Sequence, residues 1–100
     1  MSPRCKKPRR CSCPFRGDAA LVYKPAGIPL QGLDRTTLDH DEMEAMYLCD
    51  AEGLTQEEAG MRMGVSRGTV QRLLASARKK IIEAFATGRA VRIEAGAGQE

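Results

Sequence analysis

The chain has 100 residues, 42% hydrophobic and 29% charged, which is the size and composition of one small globular domain. With two Tyr, two Phe and no Trp it has little material for a large apolar pocket, so we expect that it is not an enzyme. The sequence has no apolar run of the roughly 18 to 20 residues that a membrane span needs, and its basic N-terminus lacks the apolar stretch of a signal peptide, so we expect a cytoplasmic protein without a membrane partner.

The net charge of +3 is unevenly distributed along the chain. Residues 1–17 contain six Lys or Arg and no acid, whereas residues 34–58 contain nine acids and one Arg. The sign reverses again in residues 62–92, where eight bases face one acid. Two basic blocks separated by an acidic block predict a polyanionic partner that contacts particular elements of the fold.

The chain begins with an arm, residues 1–17, in which Pro, Cys, Arg, Lys and Ser follow neither helical nor strand periodicity. A β-prone run then predicts a short strand near residues 20–24, which the following prolines terminate. Residues 31–38 are interpreted as a connector. We expect residues 18–95 to form a single domain and residues 96–100 to be a disordered tail.

The first of three predicted helices covers residues 40–51. Asp39, with Glu42 three positions later, matches an N-cap with its capping acid, and Gly53 is suited to end the helix. The spacing of apolar residues predicts one face that packs inward and an opposite face that is acidic. The apolar face consists of Met43, Met46, Tyr47 and Leu48.

A capping box formed by Thr55 and Glu58 predicts a second helix over residues 55–63. Ser66 is expected to cap a third and longer helix over residues 66–87. Apolar residues of this third helix recur at spacings of three and four, which predicts a buried stripe of about five turns. The stripe consists of Val70, Leu73, Leu74, Ala77, Ile81 and Phe85.

A second short strand is predicted near residues 89–94, where Val91 and Ile93 alternate with charged residues. Two isolated strands are marginally stable, so we expect this strand to pair with residues 20–24 or with a second copy of the chain. The predicted fold is therefore mainly α: a three-helix domain with two short flanking strands and a basic N-terminal arm.

The second and third helices match the spacing of a helix-turn-helix, from Thr55 to about Leu74. Gly60 lies where two crossing helices leave space for little more than a hydrogen atom, and Gly64 suits the positive φ of the turn. Val65 and Val70 follow at positions that pack inward. A helix-turn-helix of this kind predicts double-stranded DNA as the partner, with the third helix in the major groove.

The outward face of the third helix is rich in hydrogen-bond donors. Arg can bond bidentately to guanine and Gln to adenine, while a Thr methyl group can contact thymine. The residues that we expect to read bases are Arg67, Thr69, Gln71 and Arg72. Phosphate contacts carry no sequence information but fix the register of the protein on the duplex. The residues that we expect to contact phosphate are Ser66, Arg78, Lys79 and Lys80.

The arm offers two further interpretations. Its bases could follow the phosphate backbone or enter the minor groove beside the main contact; the residues concerned are Lys6, Lys7, Arg9 and Arg10. Its cysteines, Cys5, Cys11 and Cys13, could hold zinc or an iron-sulfur cluster with Cys49 as a fourth ligand. Their spacing differs from the usual pairs of zinc ligands, so free reduced thiols are the alternative.

Several strings of the sequence resemble the family of small proteins known as domain of unknown function 134, or uncharacterised protein family 0251. The strings are YKPAGIPL at 23–30, DEMEA at 41–45, DAEGL at 50–54, QEEA at 56–59, MGVSR at 63–67 and RAVRIE at 89–94. The resemblance implies a helix-turn-helix similar to region 4 of sigma factors, and a transcriptional regulator as its function. The chain departs from the family pattern at Gly68 and Gln71, where the family has Gln and Gly.

Three hypotheses about function follow. The first is a DNA-binding transcriptional regulator that acts as a homodimer. The second is a metal- or redox-sensing module that uses the arm cysteines. The third is an adaptor that contacts RNA polymerase or a sigma factor through the acidic first helix.

Overall fold

Three helices and three short strands make up residues 21–94, the part of the chain that the computed structural model describes. In chain order they are β1 (Leu21–Tyr23), β2 (Arg35–Leu38), α1 (His40–Met46) with a π-helical extension (Tyr47–Ala51), α2 (Gln56–Met63), α3 (Arg67–Thr87) and β3 (Ala90–Ile93). The predicted fold class, mainly α with flanking strands, is confirmed. In this part of the chain no helix has the length and apolar character needed to cross a membrane.

The strands form one sheet in the order β1, β3, β2, so that β3 is central. The pairing predicted between the two flanking strands is confirmed, since β1 and β3 run antiparallel. The interpretation of residues 31–38 as a connector holds for residues 31–34 but is wrong for Arg35–Leu38, which form β2 and lie parallel to β3. The strand is only four residues long and lacks apolar alternation, but its pairing with β3 brings Leu38 opposite Ile93 and buries it completely.

Helix α1 and its extension span the predicted residues 40–51. Its start is fixed by the predicted acid, because the Asp39 N–H donates to Glu42 Oε1 at 2.9 Å. The last turn is wider than an α-turn: the Glu52 N–H donates to the Tyr47 carbonyl oxygen, five residues back, at 3.0 Å. The prediction of an acidic outer face is wrong in part, since Glu42 and Glu44 are both buried.

Helices α2 and α3 begin and end where their capping residues predict. The Thr55 N–H donates to Glu58 Oε1 at 2.9 Å, and the Glu58 N–H donates back to Thr55 Oγ1 at 3.0 Å. Ser66 Oγ accepts the Thr69 N–H at 3.1 Å and caps α3. Between the helices, Gly64 adopts a φ of 75°, a left-handed conformation that favours glycine.

Helix α3 contributes to two hydrophobic clusters and thereby joins the helices to the sheet. The first cluster lies between the helices and contains Ala45, Leu48, Ala59, Met63, Val70 and Leu74. The second lies between α3 and the sheet and contains Leu38, Ala77, Ala84, Val91 and Ile93. The prediction that Phe85 belongs to the buried stripe is wrong: its side chain is 71% exposed, and Ala84 lies against the sheet instead.

The predicted close approach at Gly60 is confirmed. A Cβ atom built at this position would lie 2.7 Å from the Val65 carbonyl oxygen, which belongs to the turn between α2 and α3. Because the obstructing atom is part of the backbone, no side-chain rotation can make space for a methyl group. Gly60 therefore sets how closely the start of α3 approaches α2.

We expect Gly60→Ala to lower the free energy of unfolding by about 1 to 3 kcal/mol, because the turn must move to accommodate the methyl group. Gly68→Ala is the matched control, since a Cβ there meets nothing nearer than 3.7 Å. The control is expected to gain up to about 1 kcal/mol from the better helix propensity of Ala. Urea unfolding at neutral pH measures both, and a wild-type midpoint for Gly60→Ala would contradict the steric argument.

Candidate nucleic-acid interface

The first turns of α3 bring the four predicted base-reading residues to one end of the molecule. Arg67, Gln71 and Arg72 are exposed, and Thr69 is half-buried. Residues three and four apart are neighbours on a helix surface, so Gln71 lies beside Arg67, and Arg72 lies beside Thr69. The first turn of α3 contains no acid, and its free backbone N–H groups add to the positive potential there.

A series of hydrogen bonds holds these side chains in order. Ser66 Oγ and Thr69 Oγ1 lie 3.0 Å apart and share a hydrogen bond, and Arg72 Nη2 donates to the same Thr69 oxygen at 3.2 Å. Arg67 Nη1 donates to Gln56 Oε1 at 3.1 Å, which ties the start of α3 to the start of α2. Both guanidinium groups are thus oriented by neutral acceptors.

Gly68 is a glycine that the protein's own packing does not require. Its neighbours leave space for a Cβ, at 3.7 Å from Arg72 Nη1 and 3.9 Å from Ser66 Oγ, and its φ is not positive. A glycine in a helix nevertheless lowers stability relative to Ala. Because Gly68 has no side chain, a partner can approach the backbone of α3 closely at this position.

Further along α3, two of the predicted phosphate-contacting residues, Arg78 and Lys79, are paired with carboxylates. Arg78 donates two hydrogen bonds to Asp50, with Nη2 at 2.6 Å from Oδ1 and Nε at 3.2 Å from Oδ2. Lys79 Nζ lies 2.9 Å from Glu83 Oε2, one helical turn away. Both pairs are largely exposed, so they remain open to competition from another anion.

Lys80 is held more firmly, by a buried carboxylate. Its Nζ lies 2.8 Å from Glu42 Oε1 and donates to the Thr37 carbonyl oxygen at 3.0 Å. Ser76 Oγ donates to the other carboxylate oxygen of Glu42. The carboxylate of Glu42 thus joins α1 to α3, and Lys80 extends the connection to β2.

Burial alone would raise the pKa of Glu42. Hydrogen bonds from Lys80, Ser76 and the Asp39 backbone, together with the charge of Lys80, outweigh that effect and hold the pKa below its ordinary value. Glu42 therefore remains ionised at neutral pH, so the charge of Lys80 is compensated within the protein.

The cations of α3 consequently divide into two groups. Arg78, Lys79 and Lys80, in the second half, each lie against a carboxylate. Among residues 21–94, Arg67 and Arg72 at the start form no ion pair, and their hydrogen bonds go to an amide and a hydroxyl. The uncompensated positive charge of α3 is therefore concentrated at its N-terminal end.

The predicted arm residues lie outside the described part of the chain. They comprise the bases Lys6, Lys7, Arg9 and Arg10 and the cysteines Cys5, Cys11 and Cys13, whose proposed DNA and metal roles remain predictions. Cys49, the fourth candidate ligand, is half-buried. Burial, followed by the charge of Asp50, raises the pKa of its thiol, although Arg78 acts in the opposite direction.

Three residues that shape this surface were not predicted as site residues. Gln56 orients Arg67, while Glu42 and Asp50 engage cations of α3. The i, i+4 spacing of Lys79 and Glu83 could have revealed their pair. No comparable local signal exists for the other pairs, because their partners lie 11 to 38 residues apart in sequence.

We expect Glu42→Gln to lower the free energy of unfolding by about 1.5 to 3 kcal/mol at neutral pH, because a charge-assisted hydrogen bond to Lys80 is lost. The difference from wild type should shrink as the pH falls below about 4.5, the ordinary pKa of a Glu, through the lower pKa of folded Glu42. Below that pKa the wild-type carboxyl group is protonated and therefore neutral, like the amide of the Gln variant.

Urea unfolding across this pH range measures the difference. Glu83→Gln is the matched control, since it removes an exposed i, i+4 pair and should cost less than about 0.5 kcal/mol. A difference between Glu42→Gln and wild type that stays constant down to the most acidic pH would contradict the assigned role of the carboxylate.

Comparison with known proteins identifies relatives that share most of this chain. The family model described as "Protein of unknown function DUF134" matches residues 1–99. A UPF0251 protein of Desulforudis audaxviator is 53% identical over 74 residues, which are 74% of this chain and 48% of the relative. A UPF0251 protein of Dehalococcoides mccartyi is 43% identical over 90 residues, which are 90% of this chain and 77% of the relative.

The matched region thus spans about half the length of the relative from D. audaxviator and of a UPF0251 protein of Moorella thermoacetica, and about three quarters of that from D. mccartyi. No solved structure matches the chain. The match to the family model covers nearly the whole sequence and therefore includes all the helices and strands described above. The chain belongs to the DUF134 family, whose matched relatives carry the name UPF0251.

Proposed function

We propose that this protein is a DNA-binding transcriptional regulator in which α2, the turn and α3 act as a helix-turn-helix. The observation that carries the proposal is the division of charge along α3. Arg67 and Arg72 bond only to neutral groups, whereas the three later cations lie against carboxylates. A polyanion would supply the compensating charge that the described part of the protein does not provide at this end.

The dimensions of α3 support insertion into the major groove. A helix with its side chains is about 10 to 12 Å across, and the groove of B-DNA is about 12 Å wide. In this arrangement Arg67 and Arg72 donate to guanine and Gln71 bonds to adenine. Thr69 contacts thymine through its methyl group, since its hydroxyl is engaged with Ser66 and Arg72.

The proposed phosphate contacts differ in the ion pair that each side chain would have to break in order to reach a phosphate. Ser66 lies beside the reading residues at the cap of α3. Arg78 and Lys79 would exchange an exposed carboxylate for a phosphate at little cost. Lys80 would leave the buried carboxylate of Glu42 uncompensated, so we assign it a structural role.

The alternative of an RNA polymerase or sigma-factor adaptor has less support. It rested on an acidic face of α1, and two of the acids concerned, Glu42 and Glu44, are buried. We further propose that the protein acts as a homodimer, because two copies related by a two-fold axis would read both halves of a palindromic site.

The test begins with selection of bound sequences from a pool of random double-stranded DNA, followed by fluorescence-anisotropy titration of a selected duplex. We expect Arg72→Ala to weaken binding by about 10- to 100-fold and to relax the preference for guanine at the position that Arg72 contacts. Arg67→Ala should behave similarly.

Arg35→Ala is the charge-matched control, because Arg35 is an exposed cation on β2. It should change the affinity less than about threefold, the scale of a remote, screened charge. If no sequence is enriched, if binding is insensitive to salt, or if Arg35→Ala weakens binding as much as Arg72→Ala, the proposed mode of binding is wrong.

Gly68→Ala separates DNA contact from folding. If the duplex approaches the backbone of α3 at Gly68, the added methyl group should weaken binding by about 5- to 30-fold, equivalent to about 1 to 2 kcal/mol. The same variant is expected to be at least as stable as wild type, because nothing within the protein obstructs the methyl group. Unchanged affinity in the same titration would place the backbone away from the DNA.

A further inference from the structure

The sheet is covered unevenly by the helices. Leu38, Ile93 and Leu21 lie side by side across β2, β3 and β1, and side chains opposite one another in a sheet share a face. Leu38 is fully buried and Ile93 is 5% exposed, whereas Leu21 is 42% exposed. The covering layer therefore extends over β2 and β3 but ends before β1.

The next pair of opposed residues on this face, Val91 and Tyr23, shows the same increase in exposure from β3 to β1. Val91 on β3 is 3% exposed, but Tyr23, its partner on β1, is 59% exposed. Val91 and Ile93 belong to the cluster that packs against Ala77 and Ala84 of α3. Leu21 and Tyr23 consequently lie on the helix-covered side of the sheet, but no helix of residues 21–94 covers them.

One large apolar side chain of α3, that of Phe85, borders this uncovered area, and a second, that of Ile82, is exposed one helical turn before it. Phe85 is 71% exposed and lines a groove together with Tyr23. Ile82, one helical turn earlier, is 63% exposed. We refer to Leu21, Tyr23, Ile82 and Phe85 as the β1–α3 face. It contains both large apolar residues of α3 that remain exposed, so the exposure of Phe85 and the edge position of β1 belong to one feature.

We propose that the β1–α3 face is the interface between two copies of this chain. An edge strand that meets its own copy across a two-fold axis runs antiparallel to it, so β1 of both copies can join the two sheets into one of six strands. Ile82 and Phe85 of each copy then cover Leu21 and Tyr23, and the two α3 helices lie side by side over the joined sheet.

The face supplies part of the area that a dimer of this chain needs. At 59% and 71% exposure, Tyr23 and Phe85 together present roughly 250 Å² of side-chain surface, and Leu21 with Ile82 raises this to about 400 Å². A stable dimer buries about 800 Å² per partner. Four side chains thus supply about half of that area, and the edge of β1 adds main-chain hydrogen bonds.

The test is the oligomeric state of the full chain without DNA, measured by sedimentation equilibrium. We expect a wild-type dimer, and Phe85→Glu should weaken its association at least about 30-fold, the effect of removing a central apolar contact. Tyr23→Glu, on a different element, should do the same. Because both side chains are mostly exposed in the monomer, circular dichroism and the unfolding midpoint should show that the variants remain folded.

Met61→Glu is the matched control, since Met61 is 80% exposed on α2 and lies outside the face. It should leave the dimer constant within about twofold, the size expected of a substitution outside an interface. A monomeric wild type at every accessible concentration overturns the proposal, and so does a dimer that both Phe85→Glu and Tyr23→Glu leave intact. Because no DNA is present, the result is independent of the proposed DNA binding.

Discussion

The carboxylate of Glu42 is the group on which the relative position of α1, α3 and the sheet depends. It is 3% exposed and accepts hydrogen bonds from the cap of its own helix and from Ser76 and Lys80 of α3. Burying a charge is unfavourable unless it is paired and hydrogen-bonded, so the three donors must remain in place for the helices to pack as they do. Lys80 also bonds to β2, which orders the strand relative to the same helix.

This arrangement also determines how one long helix can carry two roles. The second half of α3 packs its buried stripe against the sheet. Its cations pair with an acid of α1, an acid of the π-helical extension of α1 and an acid one turn further along α3. Its first half is oriented by Ser66, Thr69 and Gln56, which leave the charge of its arginines uncompensated. Rigid attachment at one end and open polar chemistry at the other suit an element that presents side chains to a partner.

Local signals in the sequence predicted the local features of the fold. Capping at Asp39, Thr55 and Ser66 depends on residues within three positions. Gly60 and Gly64 are both required by the short turn between α2 and α3. Strand β2 and the pairing of Glu42 with Lys80 depend on partners far away in sequence, which periodicity does not detect. Phe85 was misassigned because Ala84 and Phe85, three and four residues after Ile81, both continue the helical spacing, and only the contact with the sheet shows that Ala84 is the buried one. The candidate reading residues were predictable, but the pairing that distinguishes them from later cations was not.

The antiparallel pairing of β1 with β3 has a consequence for the connectivity of the fold. Leu21 lies opposite Ile93, so the chain enters and leaves the described domain at neighbouring points of one sheet, about 5 Å apart. Positions 21 and 94 could therefore be joined by a short linker to give a circular chain. That chain could then be opened at a new position in the turn-rich segment 24–34. A circular permutant of this kind would keep every helix in its present order while moving both chain ends to the opposite end of β1.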